Sequence, residues 1–263
     1  MEIIRSIGWG PYAPGIYTAI RDGDYDVVYS STFPSATAFL SLRASNNSGK
    51  PFVFTPYFHY AQSWQRNSKL MQYFVKHSDA LIACTELEKK ALVDIGATGE
   101  KVFVIPLSFD ISIVPKDLPS QESLKERLGI RDHFVVLTHP WTQKGGTEVL
   151  RSISILADKG KKIALISLGK PDREYSSVES SLISKNPKLK ILDLGWLQGR
   201  EKWEAFSTCD VFALPSRSDA FGLSYLNAWA LKKPVLAAKG TPAEEIVDDG
   251  INGRLVDPRN AEN

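Results

Sequence analysis

Asp210–Leu231 reads DVFALPSRSDAFGLSYLNAWAL. A continuous apolar run ends at Leu214, small and polar residues fill Pro215–Asp219, and an apolar helix-forming run opens at about Gly222. The run Asp210–Leu214 shows no polar alternation, which is how a strand buried on both faces of a parallel sheet reads. Strand, tight turn and helix in that order make the repeating unit of an α/β domain. Ligands of open α/β sheets bind beyond the carboxyl ends of the strands, so this turn is a candidate site. Gly222 removes the Cβ that would hold backbone away from a ligand. The helix start offers free amides and partial positive charge, suited to a diphosphate. Asp219 precedes the helix and Asn227 lies on it, so both could border one cleft. Asp219 could equally be a plain helix cap, since Asp is favoured there. Chemistry alone leaves cap and site open.

The same alternation extends in both directions. In the second half, strands are expected at Phe134–Thr138, Lys162–Leu168, Lys190–Leu194, Asp210–Leu214 and Pro234–Ala238. In the first half they are expected at Asp26–Ser30, Pro51–Thr55, Ala80–Cys84 and Lys101–Ile105. Helical patterns fill the gaps at Ser35–Ala44, Gln62–Lys76, Glu86–Ile95, Thr147–Lys159, Tyr175–Ser184, Glu201–Ser207 and Leu223–Leu231. Strands alternating with helices of that length mean βαβ units. Ile111–Gln121 has two prolines and little periodicity and reads as a linker. The expected fold is therefore α/β, with two Rossmann-like lobes and parallel sheets, residues 1–113 and 114–263, around an interlobe cleft. Both lobes read as incomplete. The first convincing strand begins only near Asp26, and Asp257-Pro258 would start a helix that the last residues do not continue.

Composition narrows the function. The chain has 263 residues, 43% hydrophobic and 24% charged, with a formal charge of +2. That near-neutral balance gives no case for nucleic-acid binding. No apolar run reaches the roughly 18 residues needed to span a bilayer, and the start lacks a secretory pattern. Cys84 and Cys209 sit among apolar neighbours and read as small buried hydrophobes in a reducing compartment. Four scattered histidines without a Cys/His cluster argue against a structural zinc site. The expected location is cytoplasmic. Gln62–Lys76 carries Trp64, Leu70, Met71 and Phe74 against Arg66, Lys69 and Lys76. It reads either as a surface helix packed on its sheet or as a peripheral contact with the inner membrane face.

Further stretches complete the pattern: THPWTQKGGT (Thr138–Thr147), SDALIACTELEKKALVDIG (Ser78–Gly96), EKVFVIP (Glu100–Pro106), DLGWL (Asp193–Leu197) and STCDV (Ser207–Val211). A lysine among helix-opening glycines is a physically sound phosphate ligand, although a lone loop-tip lysine is more often merely solvated. His59, just past a strand in FTPYFH (Phe54–His59), is by itself more often a packed or surface residue.

Taken together these stretches resemble family 4 glycosyltransferases of the GT-B type, over nearly the whole chain. The frame Asp219-Ala-Phe221-Gly222 followed by Asn227 keeps the spacing of the family's two acidic residues with both replaced. Lys144-Gly145 matches its Lys-Gly, and His139 stands where the family has arginine. The resemblance implies that Asp219 and His59 meet the donor sugar as the catalytic candidates. It implies that His139, Lys144, Gly145 and the backbone of Phe221, Gly222 and Leu223 bind the donor diphosphate. Asn227 would hold the ribose, and Gly195, Trp196 and Leu197 would flank the base. His139 would bind phosphate well only when protonated, so donor affinity is expected to weaken above neutral pH.

The implied reaction moves a sugar from a nucleotide-diphosphate donor to an acceptor hydroxyl with retention at the anomeric carbon. The donor is a co-substrate, and neither cofactor nor divalent metal is implied. The acceptor is a glycan, a lipid or a small molecule. Two alternatives stay open: a non-catalytic relative acting as a binding or regulatory protein, and a nucleotide-sugar epimerase of the same fold. A dehydrogenase is disfavoured because no Gly-x-Gly-x-x-Gly follows an early strand.

Overall fold

The structure, a computed structural model, describes residues 10–59 and 61–259. Its contacts divide the chain into two compact units, Met1–Leu107 and Ser108–Asn263. The division falls slightly before the expected 113/114 boundary. Phe109 already packs edge-on against Trp203 of the second unit, ring centroids 6.0 Å apart.

In the first unit, β1 (Val28–Ser31), β2 (Phe52–Thr55), β3 (Ala80–Ala83) and β4 (Val102–Val104) form a parallel sheet in chain order. Helices α1 (Gly15–Asp22), α2 (Ala36–Ser48), α3 (Ser63–Arg66), α4 (Lys69–His77) and α5 (Glu86–Asp94) connect or flank them. Local chemistry sets several boundaries. Ser35 and Thr85 cap α2 and α5 by accepting from Ala38 and Glu88 amides. Gly49 ends α2 in the left-handed region at φ 69°. The single helix expected over Gln62–Lys76 is broken in two. Ser68 leaves the helical conformation and its hydroxyl accepts the Met71 amide at 3.2 Å, which restarts the helix as α4.

The core of this unit is aromatic. Phe52, Phe54, Phe58 and Phe74 are fully buried, and Phe54 stacks on Phe74 at 4.5 Å between centroids. Leu70, Met71 and Phe74 face that core. Three of the four apolar residues read on this segment are thus packed on the protein's own sheet, while Trp64 is 45% exposed. No helix among the described residues is long and apolar enough to cross a membrane.

In the second unit six parallel strands are ordered β10-β9-β8-β5-β6-β7. They are β5 (Phe134–Thr138), β6 (Ile163–Ser167), β7 (Lys190–Asp193), β8 (Val211–Leu214), β9 (Val235–Ala238) and β10 (Gly253–Val256). Helices α6 (Gln121–Arg127), α7 (Gly146–Asp158), α8 (Arg173–Lys185), α9 (Gly199–Thr208) and α10 (Leu223–Ala230) join them. β10 was not expected. It carries Arg254 in a short run, and it pairs with β9 because Gly253 has no side chain: a Cβ there would lie 2.6 Å from the Val235 carbonyl oxygen. The expected linker ends in α6, whose Gln121 amide donates to the carbonyls of Thr208 and Cys209 and to Asp210.

Every residue of β6 and β8 is buried, as their unbroken apolar runs imply. Cys84 and Cys209 are free and buried, and burial pushes both thiols up to about 12. They are the small core residues expected.

Candidate functional site

Strand order reverses between β5 and β8: the chain runs outward through β6 and β7, then returns to the other side of β5. Loops leaving such neighbouring strands diverge, opening a crevice at their carboxyl ends. Thr138, the last residue of β5, is fully buried and donates its hydroxyl to the Ala213 carbonyl of β8 at 2.7 Å. The two strand ends are thereby tied together where the two candidate loops begin.

Glycines let the loops close on each other. Gly145 has φ 81°, and a Cβ on it would stand 2.6 Å from both the ring and the carbonyl oxygen of Pro215. Gly222 has φ 98°, and its Cβ would stand 2.5 Å from the Tyr225 ring. Tyr225 is buried under this turn and donates its hydroxyl to the Leu214 carbonyl at 2.6 Å. Gly145 precedes α7 and Gly222 precedes α10, and neither helix has a side-chain cap. Two uncapped helix starts therefore meet one crevice, each presenting partial positive charge.

Lys144 and Asp219 link the loops. The ammonium makes an ion pair with Asp219 Oδ1 and donates to the Ser218 carbonyl at 3.2 Å. Both side chains are only about one-fifth exposed (22% and 20%). The second carboxylate oxygen, Oδ2, is buried and accepts no hydrogen bond among the described residues. A buried acceptor is costly to leave unmet. Asp219 does not cap α10, whose cap position is Gly222. Of the two readings open for this residue, the cap is excluded.

His139 leaves β5 beside them. Its Nδ1 lies 2.9 Å from the Leu168 carbonyl, which can only accept, so Nδ1 carries the proton. In the neutral ring Nε2 then accepts from the Ser224 hydroxyl at 2.9 Å. Trp141 stacks on the imidazole at 5.6 Å. Burial holds the imidazole's pKa below its ordinary value, against the opposing bond to Leu168. Burial therefore disfavours the protonated form in which His139 was expected to bind phosphate well. In addition, α10 brings Ser224 onto the nitrogen that phosphate would need.

Asn227 sits one helical turn deeper and accepts from Lys202 of α9 at 3.4 Å. Burial lowers the Lys202 pKa, and its ammonium also lies 4.2 Å from the Trp203 ring centre. Gly195, at φ 66°, follows β7, and its carbonyl accepts from the Gly169 amide at 2.7 Å. Trp196 is 71% exposed, while Leu197 packs against the core. Phe221 is buried and Leu223 is exposed. His59 belongs to the first unit, after β2, and its amide donates to Gln65 Oε1 at 2.9 Å. Sequence reasoning missed Ser224 and Lys202. Ser224 lies within the Asp219–Asn227 frame but at none of its matched positions, and Lys202 lies outside the quoted stretches; the packing of α10 against the β5 exit and α9 shows their contacts.

Comparison with known proteins agrees with this architecture. The profile of the family described as "Glycosyl transferases group 1" matches residues 124–263, and that of "Glycosyltransferase Family 4" matches residues 5–113. A D-inositol 3-phosphate glycosyltransferase of Stackebrandtia nassauensis is 31% identical over 195 residues, 69% of this chain and 43% of the relative. Its namesake in Xylanimonas cellulosilytica is 28% identical over 191 residues, 70% of this chain and 46% of the relative. The chain thus spans less than half the length of these two relatives.

The crystal structure of Anabaena Alr3699/HepE with UDP and glucose superimposes with a TM-score of 0.79 at 21% identity. That match covers 95% of this chain and 69% of the other. A Rickettsia africae glycosyltransferase gives 0.74 at 21% identity, covering 98% and 70%. At such identities the likeness is one of fold. With its profile matching more than half of the chain, residues 124–263, the protein belongs to the glycosyl transferases group 1 family.

Proposed function

We propose that the chain carries the donor-binding machinery of a retaining glycosyltransferase that moves a sugar from a nucleoside-diphosphate sugar to an acceptor hydroxyl. The observation that carries this reading is the Lys144–Asp219 pair at the β5/β8 crevice, with Asp219 Oδ2 buried and unmet between two uncapped helix starts. Lys144 and the amides around Gly222 supply positive charge for a diphosphate, and Asp219 supplies an acceptor for a sugar hydroxyl. The names of relatives support it: two act on D-inositol 3-phosphate by name, and the Anabaena protein holds UDP and glucose.

In this reading the bond between the anomeric carbon and the phosphate oxygen breaks, and a bond from the acceptor oxygen forms on the same face. The acceptor's proton passes to the departing phosphate. Lys144 and the helix amides take up the charge left on that phosphate, and His139 lines its approach. His59 is assigned to the donor sugar, Asn227 to the ribose, and Gly195 with Trp196 and Leu197 to the base. The acceptor class is a glycan, a lipid or a small molecule.

The test is turnover of the full-length protein with a panel of nucleoside-diphosphate sugars and hydroxyl acceptors, with the anomeric configuration of the product read by NMR. An α-linked product from an α-linked donor, lost on Asp219→Ala, supports the reading. An inverted product refutes retention, and epimerised donor formed without acceptor points to an epimerase. The lowered pKa of His139 and the engagement of Asn227 by Lys202 favour a second reading, a non-catalytic donor-binding protein. Binding without any turnover would establish that one.

A further inference from the structure

Glu88 lies on the first turn of α5 and is fully buried, yet it has no cationic partner among the described residues. Its two oxygens accept two main-chain amides instead. Oε1 takes the Phe58 amide at 2.5 Å and Oε2 takes the Cys84 amide at 2.6 Å. Phe58 belongs to the exit of β2 and Cys84 to the exit of β3. One carboxylate therefore pins together the two loops at the carboxyl edge of the first sheet.

The β2 exit is an unusual piece of backbone. Tyr57 is held at φ 51°, a conformation that a bulky side chain rarely adopts without outside support. Phe58 is fully buried, and His59 follows at once. The His59 amide is held separately by the buried Gln65 side chain at 2.9 Å. Two consecutive amides thus end on two buried side chains, which fixes the main chain from which the His59 side chain leaves. A glutamine at position 88 could not replace the carboxylate. It has one acceptor oxygen, and its amide group would face a second N–H donor.

We propose that Glu88 is a positioning residue for His59: by accepting from the Phe58 and Cys84 amides it sets the β2 exit loop in the conformation that presents His59. The proposal rests on the assignment of His59 to the donor sugar. Burying an uncompensated carboxylate is costly, and the cost appears as a raised Glu88 pKa, about 7, opposed by the two amide bonds. Among the described residues, the titratable groups interacting with it are the Cys84 thiol and the Tyr57 phenol. Burial pushes both upward, so Glu88 alone among them changes charge near neutrality. Protonation removes one of its acceptor sites and loosens the loop.

The test has two arms. In the wild-type protein, NMR should show the Phe58, His59 and Cys84 amide resonances titrating together with a midpoint near pH 7. Independent or absent titration overturns the proposal without any variant. In the second arm, turnover of the full-length protein is compared for Glu88→Gln, Glu88→Asp, His59→Ala and the double variant. Glu88→Gln should lose tenfold or more in kcat and lose the acid limb of the pH profile. Glu88→Asp should retain that limb. In the His59→Ala background, Glu88→Gln should cost almost nothing further, because it acts through the same ring. An equal loss in that background, or wild-type kcat and pH profile in Glu88→Gln, overturns the proposal. A fully active His59→Ala variant also overturns it, and locates the fault in the assignment of His59 itself.

Discussion

At the scale of single residues, the site is organised by a cation and an anion that satisfy each other. Lys144 is already paired with Asp219, so a diphosphate must share the ammonium with a carboxylate. Asp219→Asn keeps the size of the side chain and removes the competitor. It should bind a nucleoside diphosphate lacking sugar several-fold more tightly by calorimetry, while turnover falls tenfold or more. Weaker binding would mean that Lys144 is not a phosphate ligand. His139 leads to a different expectation from the one its sequence position suggests. With its pKa held below the ordinary value and both nitrogens engaged, donor affinity should be flat between pH 7 and pH 8. A steady weakening over that interval would show that the imidazolium is the bound form. Glu88 makes a prediction about stability. Its pKa in the fold, about 7, lies above the ordinary 4.5, so the folded protein keeps a proton that the unfolded chain has released. Stability from this group is complete below pH 4.5 and is lost as pH rises to about 7, by roughly 3 kcal/mol for a fully buried carboxyl. Urea unfolding at pH 5 and pH 8 should show this loss in the wild type and a smaller one in Glu88→Gln. Equal losses in the two proteins would contradict it.

At the scale of elements, the decisive pieces are the two turns that end in glycine. Gly145→Ala would place a methyl group against Pro215 and force a left-handed backbone on alanine. Overpacking and backbone strain together should cost about 2–4 kcal/mol, read as a lower urea midpoint with an unchanged slope. A neutral outcome would mean that the loops can part freely. The sequence revealed the strands of the second unit because unbroken Val/Ile/Leu runs have few other uses, and Asp210–Leu214 contains all of β8 (Val211–Leu214). It revealed the start of α10 because Gly222 stands between a polar turn and an apolar run. It did not reveal β10, which is short, bears Arg254 and depends on a contact only Gly253 permits. Nor did it reveal the break at Ser68, where a hydroxyl competes with the helix for the Met71 amide. Periodicity reports which face is buried, not where the backbone bonds go.

For the whole molecule, the two parallel α/β units were legible from the alternation of apolar runs and helical patterns, while the family was legible only through the resemblance of motifs such as Lys144-Gly145 and Asp219-Ala-Phe221-Gly222. What was not legible is the state of the site residues. The frame Asp219 to Asn227 gave the loop, but only the packed strands show Asp219 paired with Lys144, or Asn227 engaged by Lys202. Ser224 meets His139 and Glu88 meets the Phe58 amide across long stretches of sequence, and the Thr85-to-Glu88 spacing announces a helix start but not that second contact. The central claim is that the β5/β8 crevice binds a nucleoside-diphosphate sugar through Lys144. The most direct measurement is calorimetric titration of uridine, guanosine and adenosine diphosphate sugars into the wild type and Lys144→Ala, with folding of both verified by circular dichroism. The account predicts saturable binding of one donor class that the substitution weakens at least tenfold. Equal affinity in the two proteins, or no binding by a folded wild type, would contradict it.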